Sequence, residues 1–271
     1  MVKLTRPIVS MNGMIQVPSG TVLMIMITAC SCLFAQPEKK LSFGEQEIFK
    51  ASKANSPMTI DGYLNEEAWQ KTESRSLNYF YRVEKPSDQQ QTVFRMLWDE
   101  ENLYVFFDCK DQYITARERN RDGRPYLDDC AEIFLIPAPD SCNMHFGFEL
   151  NLYKASNDFI YINKFYQGQN ASVYSYNPDF KVEVTVDGTI NDNSDLDRGW
   201  TMEMAIPLKL FRGSDRYSRV KPGNRWGFLA IRQERNEVEG NRRITSTIFP
   251  IYDIEKDVHQ PNRFGMLQFV E

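Results

Sequence analysis

The feature that most constrains the fold is an alternation of apolar and polar residues with a period of two. In the segment 145–152 (HFGFELNL), phenylalanine or leucine occupies every second position, and polar residues or glycine lie between them. The segments 180–186 (FKVEVTV) and 200–206 (WTMEMAI) repeat this pattern. Such alternation is typical of antiparallel strands with one face in a core and one face in water. Because turn residues separate many such segments, the sequence predicts an all-β fold: an antiparallel two-sheet β-sandwich, jelly-roll-like, with a few short helical turns.

Composition excludes several classes of protein. The chain has 271 residues, of which 42% are hydrophobic, and this is enough for a sizeable core and argues against disorder. Its net charge of -5 provides no basic stripe, so no nucleic-acid partner is expected. The chain contains only two histidines, His145 and His259, which disfavours chemistry that needs several imidazoles.

The first 35 residues are predicted to be a signal peptide or a lipoprotein signal. Lys3 and Arg6 precede an uncharged run, Thr21 to Ala35, which is shorter than the ~20 residues of a membrane-spanning helix. Two processing routes stay open: acylation at Cys30, which would provide a lipid anchor, or cleavage after Ala35. Both routes predict an extracytoplasmic protein that is secreted, periplasmic or lipid-anchored at the cell surface.

The mature chain is expected to begin with an exposed N-terminal segment, residues 36–56, followed by the sandwich at residues 57–271. Three cysteines follow the signal: Cys109, Cys130 and Cys142. Cys109 and Cys130 lie among apolar residues and are expected to be small buried side chains, with one disulfide among the three left open.

An acidic loop at 187–200 (DGTINDNSDLDRGW) is a candidate metal site. Asp192, Asp195 and Asp197 are spaced so that their carboxylates could converge on a hard cation such as calcium. The loop is not an EF-hand, and Asn, Asp, Ser and Gly also form ordinary turns. A structural calcium ion is therefore one interpretation and a plain hairpin turn is the other.

Five short motifs occur in order along the chain. They are IDGYLNEEAW (60–69), LWDEENLYVFFDCKD (97–111), YLDDCAEIFL (126–135), GWTMEMAIP (199–207) and QPNRFGMLQF (260–269). Together they resemble the family 9 carbohydrate-binding modules and the related family 9-like bacterial domains, over residues 57–271. The resemblance implies a sugar-binding sandwich.

The resemblance also implies a set of ligand-binding residues. They are the aromatic residue Tyr126, the carboxylates Glu132 and Glu149, the amide Asn151, and Arg232 or, alternatively, its neighbour Gln233. Sugars pack their C–H faces on aromatic rings and direct their hydroxyls to carboxylate or guanidinium groups, which suits these residue types.

The chain departs from the family pattern near its end. Sugar-binding members carry a second tryptophan just before the closing P-x-x-FG, whereas this chain has Val258 and His259 there. Phe249, Tyr252 or His259 is the candidate substitute for that ring.

The predicted function is non-catalytic binding of a polysaccharide or oligosaccharide. No Gly-x-Ser-x-Gly or His-Glu-x-x-His motif marks a hydrolase. Three alternatives stay open: a surface assembly or protein-interaction domain with a silent sugar site, a haem-binding sandwich that uses His259 and a methionine, and an accessory part of a glycoside hydrolase system. Outer-membrane glycan-uptake proteins are candidate partners.

Overall fold

The computed structural model describes the chain from residue 48 onward, with short gaps. It covers residues 48–81, 89–139, 144–166, 168–214, 219–236, 244–251 and 257–271, with the backbone alone at 164–166. The predictions on the signal, on Cys30 and Ala35, and on Cys142 and Tyr252 lie outside these residues. No helix within the described ranges has the length and apolar character needed to cross a membrane.

The fold is the predicted β-sandwich, built from a front sheet and a back sheet. The front sheet contains β14 (Gly265–Phe269), β12 (Arg225–Glu234), β6 (Cys130–Ile136), β7 (Met144–Asn151), β8 (Ser156–Tyr166) and β9 (Gln169–Val173) in that order, with β13 (Ile244–Thr247) beside β12 and β3 (Tyr79–Tyr81) beside β13. The back sheet contains β10 (Lys181–Asp187), β11 (Gly199–Pro207), β5 (Asn102–Lys110) and β4 (Thr92–Trp98), with β2 (Ser74–Ser76) beside β4. Helical structure is confined to α1 (Glu67–Lys71) and to 3₁₀ turns at Pro125–Leu127, Leu208–Phe211 and Pro261–Arg263.

The first strand, β1 (Phe49–Lys53), joins the two sheets. Its first three residues pair in parallel with β14, and Ser52 and Lys53 pair in parallel with β4. Phe49 is fully buried between the sheets, 5.5 Å from the ring of Phe94 and 5.6 Å from that of Phe228. The prediction of an exposed segment at 36–56 is therefore wrong at Phe49 and Ala51, because alternate residues of β1 point into the core, whereas Asn55 and Ser56 are exposed.

The outer faces of the strands are less exposed than the alternation predicted. On β7, His145 and Asn151 are fully buried and Glu149 is 4% exposed. On β11, the side chain of Glu203 is fully buried as well. The reason is that loops and α1 cover these faces, so polar residues there lie beneath other parts of the chain rather than in water.

Glu203 shows why two of the five motifs occur together. Its carboxylate accepts hydrogen bonds from the backbone N–H groups of Asp61 and Gly62 and from the indole Nε1–H of Trp69, each at 3.0 Å. Gly62 has φ of +81°, and a Cβ there would lie 2.9 Å from a methyl carbon of Thr185. The IDG and tryptophan of the first motif thus fold over the glutamate of the fourth, and burial raises the pKa of that carboxyl.

Cys109 and Cys130 are free and buried. Burial raises the pKa of the Cys109 thiol to about 12, so this side chain is an inert apolar group.

Candidate functional site

A pocket of about 270 Å³ lies on the outer face of the front sheet. Residues from seven strands meet there, with two loops closing its sides. Its lining residues are Tyr81, Tyr126, Glu132, Glu149, Asn157, Phe159, Tyr161, Ser172, Tyr174, Gln233, Thr245, Asp257, Val258 and His259.

Two carboxylates occupy adjacent positions of the pocket. Glu132 on β6 and Glu149 on β7 are direct partners in the strand register and are 1% and 4% exposed. Glu132 Oε1 accepts a hydrogen bond of 2.7 Å from Gln233 Nε2, and Glu149 Oε2 accepts one of 2.7 Å from Asn157 Nδ2. Side-chain amides therefore fix the orientation of both carboxylates, which suits them to accept hydrogen bonds from ligand hydroxyls.

Aromatic rings line the same pocket. Tyr126 belongs to the 3₁₀ turn before β6, and Tyr174 follows β9 with 55% of its surface exposed. Phe159 lies across Gly147 of the neighbouring strand, where a Cβ would be 2.2 Å from the Phe159 ring. A glycine at 147 is thus required for this ring to lie against the sheet. Tyr161 and Tyr174 were not predicted; the alternation in β8 contains a signal for Tyr161, but no pattern marks Tyr174.

His259, a candidate from the sequence, lines the pocket, but other rings cover its faces. It stacks on Phe134 with ring centroids 4.8 Å apart and on Tyr161 with centroids 4.6 Å apart. Its Nδ1 is 3.0 Å from Nε2 of the fully buried His145. Burial lowers the pKa of both imidazoles. Because Phe134 and Tyr161 come from strands on either side of β7, they cover opposite faces of His259, which therefore cannot offer a face to a sugar.

The other described candidate for the second ring, Phe249, is in the core. It is 2% exposed and its ring is 5.2 Å from that of Phe228. Phe249 is therefore excluded as a substitute for the tryptophan. The haem alternative, which relied on His259, gains no support from the described residues, because that imidazole is stacked on both faces and bonded to His145.

The prediction that Arg232 binds ligand is wrong. Arg232 is fully buried on the face of β12 that points between the sheets. Its guanidinium donates hydrogen bonds to Thr92 Oγ1 at 2.9 Å, to the carbonyl of Lys110 at 2.8 Å and to Asp111 Oδ2 at 2.9 Å. Successive residues of a strand point to opposite faces, so the alternative, Gln233, is the residue that lines the pocket.

The prediction for Asn151 is also wrong. Its Nδ2 donates to the carbonyl of Glu118 at 2.8 Å and to Asp128 Oδ2 at 2.9 Å, and its Oδ1 accepts from the backbone N–H groups of Tyr153 and Ala155, each at 3.1 Å. Asn151 is fully buried and does not line the pocket. This amide therefore holds the turn after β7.

The three aspartates proposed to bind calcium do not converge. Asp197 accepts hydrogen bonds from the backbone N–H groups of Thr189 at 2.7 Å and Ile114 at 2.9 Å. Asp192 accepts one from the N–H of Ser194, and Asp195 is exposed. Among the residues the structure describes, no group of three acidic, histidine or cysteine side chains could hold a metal ion. The loop is therefore an ordinary hydrogen-bonded turn.

Comparison with known proteins identifies the family. The family described as carbohydrate family 9 binding domain-like matches residues 60–271, so the chain belongs to it. No curated protein shows significant similarity to the chain.

Solved structures show the same fold. A carbohydrate binding module family 9 from Caldicellulosiruptor kristjanssonii in complex with cellotriose is 18% identical, with a TM-score of 0.56 over 83% of this chain and 94% of that one. The same organism's family 9 module in complex with glucose is 18% identical, with a TM-score of 0.57 over 82% of this chain and 95% of that one. A Bacteroides uniformis protein is 16% identical, with a TM-score of 0.59 over 82% of this chain and 99% of that one.

Proposed function

We propose that this member of the carbohydrate family 9 binding domain-like family binds a polysaccharide or oligosaccharide in the front-sheet pocket, without catalysis. The family is a carbohydrate-binding one. The observation that carries the proposal is that Tyr126, Glu132 and Glu149, which the resemblance assigns to the ligand, all line a single pocket.

Stacking on tyrosine replaces the tryptophan clamp of other family members. Tyr126 and Tyr174 both line the pocket, and Tyr174 is 55% exposed. A sugar ring that packs its C–H face on tyrosine keeps its hydroxyls free at the ring edge. Glu132 and Glu149 accept hydrogen bonds from those hydroxyls, and Gln233 and Asn157 hold the carboxylates in place.

The structural relatives guide the choice of ligands to test. The two Caldicellulosiruptor kristjanssonii modules are in complex with cellotriose and with glucose. We therefore choose cellotriose and glucose as the first probes, together with xylan and mixed-linkage β-glucan. Calorimetric titration of the purified protein should give saturable binding to at least one of them, with no release of shorter products on incubation.

Replacing one ring tests the pocket directly. Tyr126→Ala should weaken binding by ~1–3 kcal/mol, because an aromatic anchor at the centre of a site carries a large share of the affinity. Tyr63→Ala is the matched control, since Tyr63 is 59% exposed and lies outside the pocket. Equal affinities of Tyr126→Ala and the unmodified protein would reject this pocket as the site. Absence of binding by the unmodified, folded protein across the panel would favour the assembly role instead.

The setting we propose is extracytoplasmic, either soluble or held by a lipid on Cys30, near outer-membrane glycan-uptake proteins. The uncharged run that ends at Ala35 supports export. Fractionation of cells that express the chain and a Cys30→Ala variant separates the two routes. Membrane association that survives this substitution would exclude the lipid anchor.

A further inference from the structure

The two imidazoles of the chain are hydrogen-bonded to each other, with His259 lining the pocket and His145 buried behind it. His145 on β7 and His259 after β13 are the only histidines in the sequence. His145 Nε2 is 3.0 Å from His259 Nδ1, and the two ring planes are inclined to each other by 16°. The sequence did not predict a hydrogen bond between the two histidines.

Only one of the two nitrogens in this contact carries a proton. Burial lowers the pKa of both imidazoles; Asp257, the charged group that acts on His259, opposes the shift without reversing it. Both rings are therefore neutral at neutral pH, and a neutral imidazole has one N–H and one bare nitrogen. Either His145 donates from Nε2, or His259 donates from Nδ1.

The buried end of this pair decides between these arrangements. His145 is fully buried, and its Nδ1 has no hydrogen-bond partner among the described residues. If His259 donated, the proton of His145 would reside on this isolated Nδ1. Buried N–H groups without an acceptor are rarer in proteins than acceptors without a donor, because losing the hydrogen bond to water is costly. His145 therefore carries its proton on Nε2 and donates to His259.

The other end of the pair then presents a donor to the pocket. With its Nδ1 bare and accepting from His145, neutral His259 carries its proton on Nε2. Phe134 and Tyr161 cover the two faces of this ring, so the edge that contains Nε2 is the part left to line the pocket.

We propose that His145 is a positioning residue that holds His259 in its Nε2-protonated tautomer, so that His259 donates a hydrogen bond to a sugar oxygen in the pocket. This inference rests on the proposed function. It adds a donor to a site whose carboxylates, Glu132 and Glu149, are acceptors. A sugar hydroxyl can satisfy both kinds of group, because it donates through its hydrogen and accepts through its oxygen. An ammonium group has no lone pair, so it could not accept a hydrogen bond from His259 at that position.

Nuclear magnetic resonance can test this inference directly, because a chain with only two histidines gives a simple histidine spectrum. In protein labelled with ¹⁵N only at histidine, long-range proton–nitrogen spectra report the protonated nitrogen of each of two rings. At neutral pH and without ligand, we expect both rings to be protonated on Nε2. Saturating cellotriose should then shift the Nε2–H signal of His259 more than any signal of His145. A proton on Nδ1 of either ring, or an unchanged His259 signal at saturation, would overturn the inference.

Two variants separate positioning from simple packing. His145→Gln keeps an N–H donor near His259 Nδ1 and should retain the Nε2 tautomer and most of the affinity for cellotriose. His145→Phe removes the donor, and should release His259 to a mixture of tautomers and weaken binding by about three- to tenfold. If both variants fold and bind alike, His145 does not position His259.

The spectra also distinguish failure of this inference from failure of the proposed function. If no probe binds, neither the histidine signals nor Tyr126→Ala will respond to any sugar, and the proposed function fails together with the ligand half of this inference. The tautomers measured in the ligand-free protein still test the other part, that His145 holds His259 in the Nε2-protonated form. If sugar binds and depends on Tyr126 while His259 stays unperturbed, only the present inference fails.

Discussion

Arg232 and Gln233 are neighbours on β12, yet they serve opposite sides of the front sheet. Arg232 points inward and is bonded to the side chains of Thr92 and Asp111 and to a backbone carbonyl. Gln233 points outward, orients Glu132 with its amide nitrogen and accepts a hydrogen bond from Thr245 with its oxygen. Both residues are almost fully buried, and both donate side-chain hydrogen bonds. Burial and hydrogen bonding therefore do not distinguish a structural polar residue from a residue of the binding pocket. The two are distinguished by the face of the sheet to which the side chain points.

The polar groups on the two faces differ in whether they border the pocket. On the inner face, Asp111 accepts from both Arg232 and the indole Nε1–H of Trp200, so its charge is compensated inside the sandwich. On the outer face, Glu132 and Glu149 border an open pocket. Removing an inner group should therefore cost stability, whereas removing an outer one should cost affinity.

The largest expected effect is on the inner face. Arg232→Met should lower the free energy of unfolding by about 3–5 kcal/mol, because Asp111 then remains as a buried charge without its cation. Gln233→Met, one position along, is the matched control and should cost clearly less stability while weakening sugar binding. Urea denaturation measures the first effect and calorimetry the second. Equal losses of stability in the two variants would remove the distinction between the faces.

A second matched pair extends the comparison to the back sheet. Glu203→Gln should destabilise the fold by about 1.5–3 kcal/mol, because an amide cannot accept from all three donors that Asp61, Gly62 and Trp69 supply. Glu132→Gln, also a buried glutamate, should mainly reduce affinity for cellotriose. Urea denaturation of both variants checks the prediction, which fails if Glu132→Gln is the less stable of the two.

Acid should destabilise the outer face through its histidines. The unfolded chain binds protons on histidine below a pKa of about 6.5, whereas His145 and His259 stay neutral in the fold because burial lowers their pKa. The unfolded state then binds more protons, so stability should fall as the pH drops below about 6.5, by up to ~1.4 kcal/mol per pH unit for each histidine. Thermal melting between pH 8 and 5.5 measures this slope. It should flatten in the double variant His145→Phe, His259→Phe, and an unchanged slope there would assign the effect to other groups.

The smallest expected effect is in the acidic loop. Asp195→Asn should change neither stability nor sugar affinity, because Asp195 is exposed and does not converge with Asp192 and Asp197 on a common point. Asp197→Asn should destabilise the loop, since both of its carboxylate oxygens accept backbone hydrogen bonds. Melting in calcium and in EDTA should give the same temperature. A clear rise with calcium that Asp195→Asn abolishes would restore the metal site.

The sequence predicted the sandwich and part of the pocket for a physical reason. Period-two alternation in β7 and β11 assigns alternate residues to opposite faces, which places Glu149 opposite Phe148 without any knowledge of the fold. The order of the motifs then made Tyr126 and Glu132 candidates. In β12, however, apolar residues occupy both faces, so no alternation could decide whether Arg232 or Gln233 faces the ligand.

The remaining errors concern contacts between distant parts of the chain. The amide of Asn151 is bonded to Glu118 and Asp128, and Phe134 and Tyr161 cover the faces of His259, which leaves that ring unable to stack on a sugar. Both arrangements span sequence separations that periodicity does not reach. The burial of Glu203 likewise depends on how residues 60–69 cross the back sheet. Local pattern assigns a residue to a face, whereas what covers that face is decided by the tertiary structure.

The placement of β1 has a mechanical consequence. β1 lies parallel to β14 and is held to it by a backbone ladder that continues with a hydrogen bond of 2.9 Å from the N–H of Val270 to the carbonyl of Ala51. A force that pulls Phe49 and Phe269 apart along the chain acts on the two strands in opposite directions. It therefore loads the rungs of this ladder together, in shear, instead of peeling them one at a time. A pull applied at these two points would therefore be resisted by several backbone hydrogen bonds at once, in the same sheet that carries the pocket.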